Sequence, residues 1–209
     1  GITIGAVTGV QGISWTEVIL EGVSNHAGTT PMSMRKDAAY AAAEIAVAVR
    51  RIADELGAPQ VGTVGFLELA PNLVNVVANR AKMTLDLRNT NEALLQRAEA
   101  MAFAAVDEIA AQEGVSCSRR QLARFEPVIF DDSVVSLVEY SAKELGYSVR
   151  RLPSVAGLDA QMFAPHCPSG MIFVPSVDGI SHNIKEHTEA SDIEAGGNVL
   201  LQVLLALAG

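Results

Sequence analysis

The stretch KMTLDLR, residues 82–88, alternates polar and apolar side chains at every position. Successive side chains of a β-strand point to opposite faces of the sheet, so Met83, Leu85 and Leu87 share one face and the polar residues share the other. One apolar and one polar face are typical of an antiparallel sheet that packs against a core on one side only. The stretch therefore predicts a half-buried strand.

The segments on either side of this strand predict the other strands and helices of the same domain. Apolar residues recur at spacings of three and four over residues 34–56 and 92–113, which predicts two helices. Strands are predicted at residues 14–23, 61–69, 76–88 and 115–124. The resulting order over residues 13–125, β-α-β-β-α-β, is that of the ferredoxin-like plan, an antiparallel sheet with both helices on one face.

The remaining residues have a different pattern. Strands are predicted at residues 3–10, 148–152 and 171–174, and helices at residues 132–145, 159–165 and from Ser191 onward. Such alternation predicts part of an α/β layer with parallel strands. We therefore expect an α/β protein of two domains, in which residues 13–125 are inserted between residues 1–12 and 126–209.

The final helix has two predicted features of its own. Glu194 follows Ser191 by three residues, which is the pattern of a capping box at a helix N-terminus. The end of the helix is apolar on nearly all sides, which predicts burial.

Composition excludes several classes of protein. The 209 residues carry a net charge of −9, and 49% of them are hydrophobic, so the chain is neither disordered nor basic enough for a nucleic-acid partner. The most apolar stretch, residues 199–208, is shorter than the roughly 18 residues that span a bilayer, so no membrane partner is expected. Two cysteines, Cys117 and Cys167, indicate free thiols in a reducing compartment, and hence a cytoplasmic location.

Two histidines lie in positions that are typical of catalytic or metal-binding residues. His26 lies in a polar loop between a predicted strand and a predicted helix, where site residues gather; the alternative is a turn histidine that caps the helix. His182 follows the apolar strand 171–174, and ligands of α/β sheets bind beyond the carboxyl ends of strands. It is a candidate metal ligand or acid–base group, and the alternative is a solvated surface residue.

Arg88 is a candidate for binding an anion. It ends the alternating strand on its polar face, where a guanidinium can hold a carboxylate through two parallel hydrogen bonds. The alternative is an exposed arginine paired with Asp86 or Glu68. His166 and Cys167 are adjacent in sequence, which does not direct their side chains at each other, and we interpret both as structural.

The loop NHAGTTPM, residues 25–32, is similar to the signature of the hydantoinase/carbamoylase amidases of the M20 peptidase superfamily. That group includes N-carbamoyl-L-amino-acid hydrolases, allantoate amidohydrolases and β-ureidopropionases. Five more segments match in the same order: GAVTGVQG (5–12), PNLVN (71–75), DLR (86–88), GMIFVPS (170–176) and GISHN (179–183). The resemblance covers essentially the whole chain.

The resemblance implies an enzyme with two domains. Residues 1–12 and 126–209 would be the C-terminal part of an α/β catalytic domain that holds two zinc ions per active site, with manganese, cobalt or nickel as other candidates. Residues 13–125 would be a ferredoxin-like lid that also forms a homodimer. The substrate would be a small carboxylate with a ureido group, and the reaction would be metal-assisted hydrolysis of its carbamoyl C–N bond.

The resemblance also implies roles for individual residues. His182 corresponds to a metal ligand, and His26 to a lid histidine that enters the active site of the partner subunit and polarises the scissile carbonyl. The implied substrate-binding residues are Asn75, Arg88, Gly157, Asp159 and Ser181.

Two departures from the family pattern bear on activity. The catalytic half of the family begins well upstream of Gly1 and carries the other zinc ligands and the general base, so we expect this chain alone to be inactive. Leu158 stands where the family has a histidine in a Gly-His-Asp loop. Two other functions are therefore weighed beside an amidohydrolase: a non-catalytic dimerisation module, and a metallopeptidase of the same superfamily.

Overall fold

The structure is a computed structural model that describes residues 1–209. It has five helices and two sheets, so the expectation of a mixed α/β protein is confirmed. The chain divides into two compact units. Residues 1–11 and 128–209 form what we call the split unit, and residues 12–127 form the inserted unit.

The strands are β1 (Ile4–Val10), β2 (Gly12–Glu21), β3 (Val61–Ala70), β4 (Arg80–Asn89), β5 (Ser116–Phe125), β6 (Val128–Ile129), β7 (Val149–Ser154) and β8 (Met171–Phe173). The helices are α1 (Ala38–Leu56), α2 (Glu92–Glu113), α3 (Asp132–Glu144), α4 (Ala160–Phe163) and α5 (Ala190–Ala208).

The inserted unit is a four-stranded sheet with two helices. Its strand order is β3-β4-β2-β5, and every neighbouring pair is antiparallel. Strand β4 alternates between buried and half-exposed residues along its whole length, as its sequence predicts. Its inward side chains share one buried cluster with α1 and α2, so both helices cover the same apolar face of the sheet.

Polar caps set the ends of the two helices. Helix α1 begins at Ala38, later than the predicted residue 34, because the Asp37 side chain accepts hydrogen bonds from the backbone N–H groups of Ala39 and Tyr40. Helix α2 keeps its predicted bounds. Asn91 caps its start, and Gly114 ends it in the left-handed conformation.

The split unit is built around β1. Strand β7 pairs with β1 in parallel, as predicted, whereas β8 pairs with β1 antiparallel, so the prediction of parallel strands is wrong for β8. The connection from β7 to β8 contains no helix longer than the four-residue α4, so it lacks the long helix that usually joins two parallel strands. Helices α3 and α5 share a second buried cluster with β1.

Helix α5 differs from both of its predicted features. It begins at Ala190 after Glu189, with no side-chain cap, so the capping box at Ser191 is wrong. Only Ala195, Val199 and Val203 are buried, so the predicted burial of its end is also wrong. Five leucines are between 49% and 59% exposed: Leu200, Leu201, Leu204, Leu205 and Leu207. By length and composition alone, α5 is the one helix that could cross a membrane. An 18-residue window of it has a mean hydropathy of 1.2 and is 22% buried. The apolar run at residues 199–208 did not indicate this, because it is shorter than the whole helix.

The polar face of the inserted sheet carries one nearly buried carboxylate. The Glu17 side chain is 8% exposed and lies 2.8 Å from Lys82 Nζ and 3.1 Å from Arg120 Nη2. The hydrogen bond from Lys82 lowers the pKa of Glu17 most, burial opposes it, and the charge of Arg120 lowers the pKa further. Glu17 therefore joins β2 to strands β4 and β5 electrostatically.

We expect the Glu17 contacts to make stability depend on pH. Because its pKa is lowered in the folded state, the folded protein binds fewer protons than the unfolded chain in the acid range. The stabilisation is thus fully present above pH 4.5, the ordinary pKa of a glutamate side chain. It is lost as the pH falls through the lower pKa that Glu17 has in the folded protein. Glu17→Gln should lower the Tm at neutral pH, and the difference from wild type should shrink in acid. Thermal melts followed by circular dichroism measure this, with the exposed Glu55→Gln as control; a Tm equal to wild type at neutral pH would contradict it.

Candidate active site

His26 lies in the loop between β2 and α1, and its imidazole is held by the backbone of the same loop. The ring Nδ1 accepts hydrogen bonds from the N–H groups of Gly28 at 3.0 Å and Thr29 at 3.2 Å. Because Nδ1 accepts, the proton of the neutral ring resides on Nε2. A Cβ on residue 28 would lie only 3.2 Å from His26 Cε1, so glycine lets the ring sit this close. His26 is exposed, and it therefore presents a fixed N–H donor outward.

The alternative that His26 caps the following helix is wrong. Helix α1 is capped by Asp37, as described above, and His26 instead closes the turn in which it lies. The Thr30 hydroxyl and backbone N–H both donate to the carbonyl of His26, which tightens the same turn.

Asn75 is brought beside His26 by backbone pairing between two loops. The N–H of Ala27 donates to the Asn75 carbonyl, and the N–H of Val77 donates to the Asn25 carbonyl, both at 2.9 Å. His26 and Val76 form an isolated β-bridge between these contacts. Asn75 and His26 are both exposed, and the backbone pairing places them in adjoining loops.

Arg88 is paired with Asp86, as the alternative interpretation expected. Its Nε and Nη2 donate to the two Asp86 carboxylate oxygens at 2.8 Å and 2.7 Å, and its guanidinium lies 5.7 Å from the centre of the Trp15 ring. The hydrogen bond to Asp86 is the main reason that the pKa of Arg88 is raised. The guanidinium is therefore held in one orientation on the open face of the sheet.

The structure does not bring Arg88 together with His26 and Asn75. The two paired loops lie at the end of the sheet where Glu21 faces Arg80. Arg88 is eight residues farther along β4 (88 minus 80), which is about 26 Å at the rise of an extended strand. One inserted unit thus presents His26 and Asn75 near one end of its sheet and Arg88 near the other.

His182 lies in the loop that follows β8. Its φ angle of 56° places a non-glycine residue in the left-handed region, and Asp178 has the same φ. The Glu186 carboxylate accepts a 2.8 Å hydrogen bond from the His182 backbone N–H and so helps to hold this conformation. The imidazole itself is exposed.

The other predicted substrate-binding residues divide between two loops. Gly157 and Asp159 follow β7, and Ser181 lies beside His182 after β8. The last residue of β7, Ser154, pairs with Val10, whereas the last residue of β8, Phe173, pairs with Gly5, so the two loops start from opposite ends of β1. Asp159 stands before α4 without capping it, and the neighbouring Leu158 is 41% exposed.

The residues of this chain do not form a metal centre by themselves. No group of three His, Cys, Asp or Glu side chains lies close enough to hold an ion. Catalytic zinc usually takes three protein ligands, and the carboxylate of Glu186 is already engaged by a backbone N–H. A metal bound at His182 would need ligands from outside these residues.

Sequence reasoning missed Arg35. Its Nη2 donates to the Ala27 carbonyl at 2.6 Å, and its Nε and Nη2 each donate to the Thr30 carbonyl at 3.2 Å. The sequence shows only that a basic residue follows the His26 loop by a few positions. The order of the residues does not indicate that the Arg35 guanidinium turns back and binds that loop.

Comparison with known proteins identifies the family. The model of the peptidase family M20/M25/M40 matches residues 12–206. An N-carbamoyl-L-amino acid amidohydrolase of Geobacillus stearothermophilus is 36% identical over 208 residues, which are 100% of this chain and 51% of that protein. An allantoate amidohydrolase of Bacillus subtilis is 35% identical, over 100% of this chain and 50% of that protein.

A solved structure gives the same result. An amidase of the hydantoinase/carbamoylase family from Burkholderia multivorans superposes with a TM-score of 0.92 at 40% identity, over 98% of this chain and 50% of that one. The chain therefore spans about half the length of the relatives that it matches. The resemblance drawn from the loop at residues 25–32 is confirmed, and the chain belongs to the peptidase family M20/M25/M40.

Proposed function

We propose that this chain is part of a metal-dependent amidohydrolase that cleaves the carbamoyl C–N bond of N-carbamoyl amino acids or allantoate-like substrates. The names of the relatives supply the substrate class. The observation that carries the proposal is the His26 imidazole, whose Nδ1 is engaged by two backbone N–H groups so that Nε2–H points outward. The same proposal places the enzyme in the cytoplasm.

His26 supplies electrostatic stabilisation in this proposal. Attack on a ureido carbonyl moves negative charge onto its oxygen, and a donor that is already oriented stabilises that charge without reorganising. Loss of one such donor costs about 10²–10³ in rate. The imidazole suits the role because its proton position and ring orientation are both set by the loop.

Asn75 and Arg88 bind the substrate carboxylate in this proposal, but from different copies of the chain. About 26 Å of strand separates Arg88 from the end of the sheet where Asn75 and His26 lie. An N-carbamoyl amino acid is several-fold shorter, so one molecule cannot reach both ends of one sheet. We therefore infer a homodimer in which the inserted unit is the ferredoxin-like lid, with its antiparallel β3-β4-β2-β5 order in support.

The metal ions of the proposed enzyme would activate the attacking water. His182 would supply one ligand, and Gly157, Asp159 and Ser181 would line the substrate site. The other ligands and the general base would come from the rest of a longer protein, since the residues here do not complete a centre.

The exposed face of α5 supports the view that the split unit is completed by further chain. One of its five exposed leucines, Leu200, lines a groove of about 430 Å³ together with Met171 and Ile193. Exposed apolar patches of this kind mark interaction surfaces. The relatives are about twice as long as this chain, so we propose that the remaining half of the protein packs on this face.

A non-catalytic dimerisation module is the second candidate function. It is favoured by Leu158, which replaces the expected histidine, and by the lack of a three-ligand cluster. Such a module would have no need of an oriented imidazole at residue 26, and the complementation experiment below separates the two functions.

Complementation between inactive subunits tests the dimeric site. In the full-length protein, His26→Ala and Arg88→Ala should each abolish most activity. A mixed dimer should regain one site, with His26 from one subunit and Arg88 from the other. Random 1:1 mixing should restore about a quarter of wild-type activity, because half the dimers are mixed and each has one intact site of two.

The matched control uses two residues from the same end of one sheet. His26→Ala mixed with Asn75→Ala should restore nothing, because each site takes both residues from one subunit. Restoration by this pair, or none by the first pair despite confirmed subunit exchange, would contradict the arrangement. An inactive wild-type full-length protein would favour the non-catalytic module.

Replacement of Arg88 by lysine tests carboxylate binding. Lysine keeps the charge but loses the planar fork, so Arg88→Lys should raise KM about 10–100-fold, the equivalent of one charge-assisted hydrogen bond, with kcat nearly unchanged. Steady-state kinetics on the full-length protein measure both constants. The exposed Arg51→Lys is the control, and a fall in kcat with KM unchanged would assign Arg88 a different role.

Polar replacements on α5 test whether further chain covers it. Leu204→Gln with Leu205→Gln should leave the Tm of the 209-residue chain nearly unchanged, since both side chains are more than half exposed there. The same pair should lower the Tm of the full-length protein, where the leucines would be buried. Val199→Ala, at a position 0% exposed, should lower both values. An equal Tm for the double variant and the wild-type full-length protein would show that this face stays open.

A further inference from the structure

The guanidinium of Arg35 donates its hydrogen bonds to the His26 loop. All its side-chain hydrogen bonds go to the carbonyls of Ala27 and Thr30, at 2.6 Å and 3.2 Å. Arg35 is half-buried, and no carboxylate lies within ion-pair distance of it. Burying an arginine without a carboxylate partner is unfavourable unless other acceptors satisfy it, and here two loop carbonyls do so.

One peptide group connects Arg35 to the His26 ring. The carbonyl of Ala27 and the N–H of Gly28 belong to the same planar amide. Its oxygen accepts from Arg35 Nη2, and its N–H donates to His26 Nδ1 at 3.0 Å. A cation on the oxygen polarises the amide and strengthens its N–H as a donor, because hydrogen bonds in a chain reinforce one another. The second bond, to Thr30, anchors the far end of the loop.

We propose that Arg35 is a positioning residue that fixes the tautomer of His26. Through the Ala27–Gly28 peptide it keeps Nδ1 as the acceptor and leaves the proton on Nε2. The inference rests on the proposed function only for its consequence in catalysis, since the tautomer is a property of the loop itself. An arginine suits this role better than a lysine, because its fork reaches both carbonyls at once.

The tautomer can be measured without any activity. In the 209-residue chain labelled with ring-¹⁵N histidine, at a pH where the imidazoles are neutral, His26 should give one protonated Nε2 signal and one unprotonated Nδ1 signal. Arg35→Met should move the two shifts toward each other as both tautomers become populated. Arg51→Met is the control and should change nothing, and His26→Gln assigns the signals among the four histidines.

The conservative variant covers the case in which Arg35→Met does not fold. Arg35→Lys should give a smaller movement of the same two shifts, because one carbonyl keeps a cationic donor. A single unchanged tautomer in either folded variant would overturn the proposal. Circular dichroism melts verify folding in each case.

Kinetics separate this inference from the proposed function. In the full-length protein, Arg35→Met should lower kcat about 10–100-fold with little change in KM, the effect of misplacing one oriented group. If the tautomer shifts in the variant while kcat stays at the wild-type value, the positioning role stands and His26 as an oxyanion donor is wrong. If kcat falls while the tautomer is unchanged, Arg35 acts otherwise and the inference is wrong.

Discussion

The pairing of β2 with β4 is the constraint on which the candidate site depends. These strands face each other in unbroken antiparallel register from Gly12 and Asn89 to Glu21 and Arg80. A slip by one residue would turn the apolar side chains of β4 from the core to the open face, so burial fixes the register. The same register sets which loops meet at the end of the ladder.

Two consequences follow from this register. The loops that carry His26 and Asn75 leave the ladder at one end and pair through their backbones, so the two residues lie at the same end of the sheet. Arg88 is carried to the other end, where Trp15 and Asp86 hold it. The sheet holds the His26 and Asn75 loops at one end and Arg88 at the other. One copy of the inserted unit therefore cannot bring Arg88 next to His26 and Asn75.

Charged residues on the open face of the sheet form ion pairs. Glu17 of β2 lies between Lys82 of β4 and Arg120 of β5, whereas Asp86 holds Arg88 on the same strand, β4. Each of these cations has a carboxylate partner, in contrast to Arg35, whose acceptors are backbone carbonyls. This difference is why Arg35 can act on the peptide backbone of a loop, whereas the other cations stabilise the sheet.

The local elements and the family can be read from the order of the residues. Alternation in β4, the bounds of α2 and the loop at residues 25–32 could be read directly, because periodicity and turn chemistry depend on residues close in the chain. The sequence also singled out His26, Asn75, Arg88 and His182 as candidates, but it did not show which of them lie together.

The other features of the molecule depend on contacts between segments that are distant in the chain. The antiparallel direction of β8, the exposed leucines of α5, the pairing of Arg88 with Asp86 and the turn of Arg35 back to the His26 loop depend on partners that the local pattern does not name. The end of α5 is as apolar as a buried helix, yet burial requires a surface to pack against, and in this chain that surface covers only one side. Periodicity shows that a residue can be buried or paired, whereas its partner is set by which distant segments the fold brings beside it.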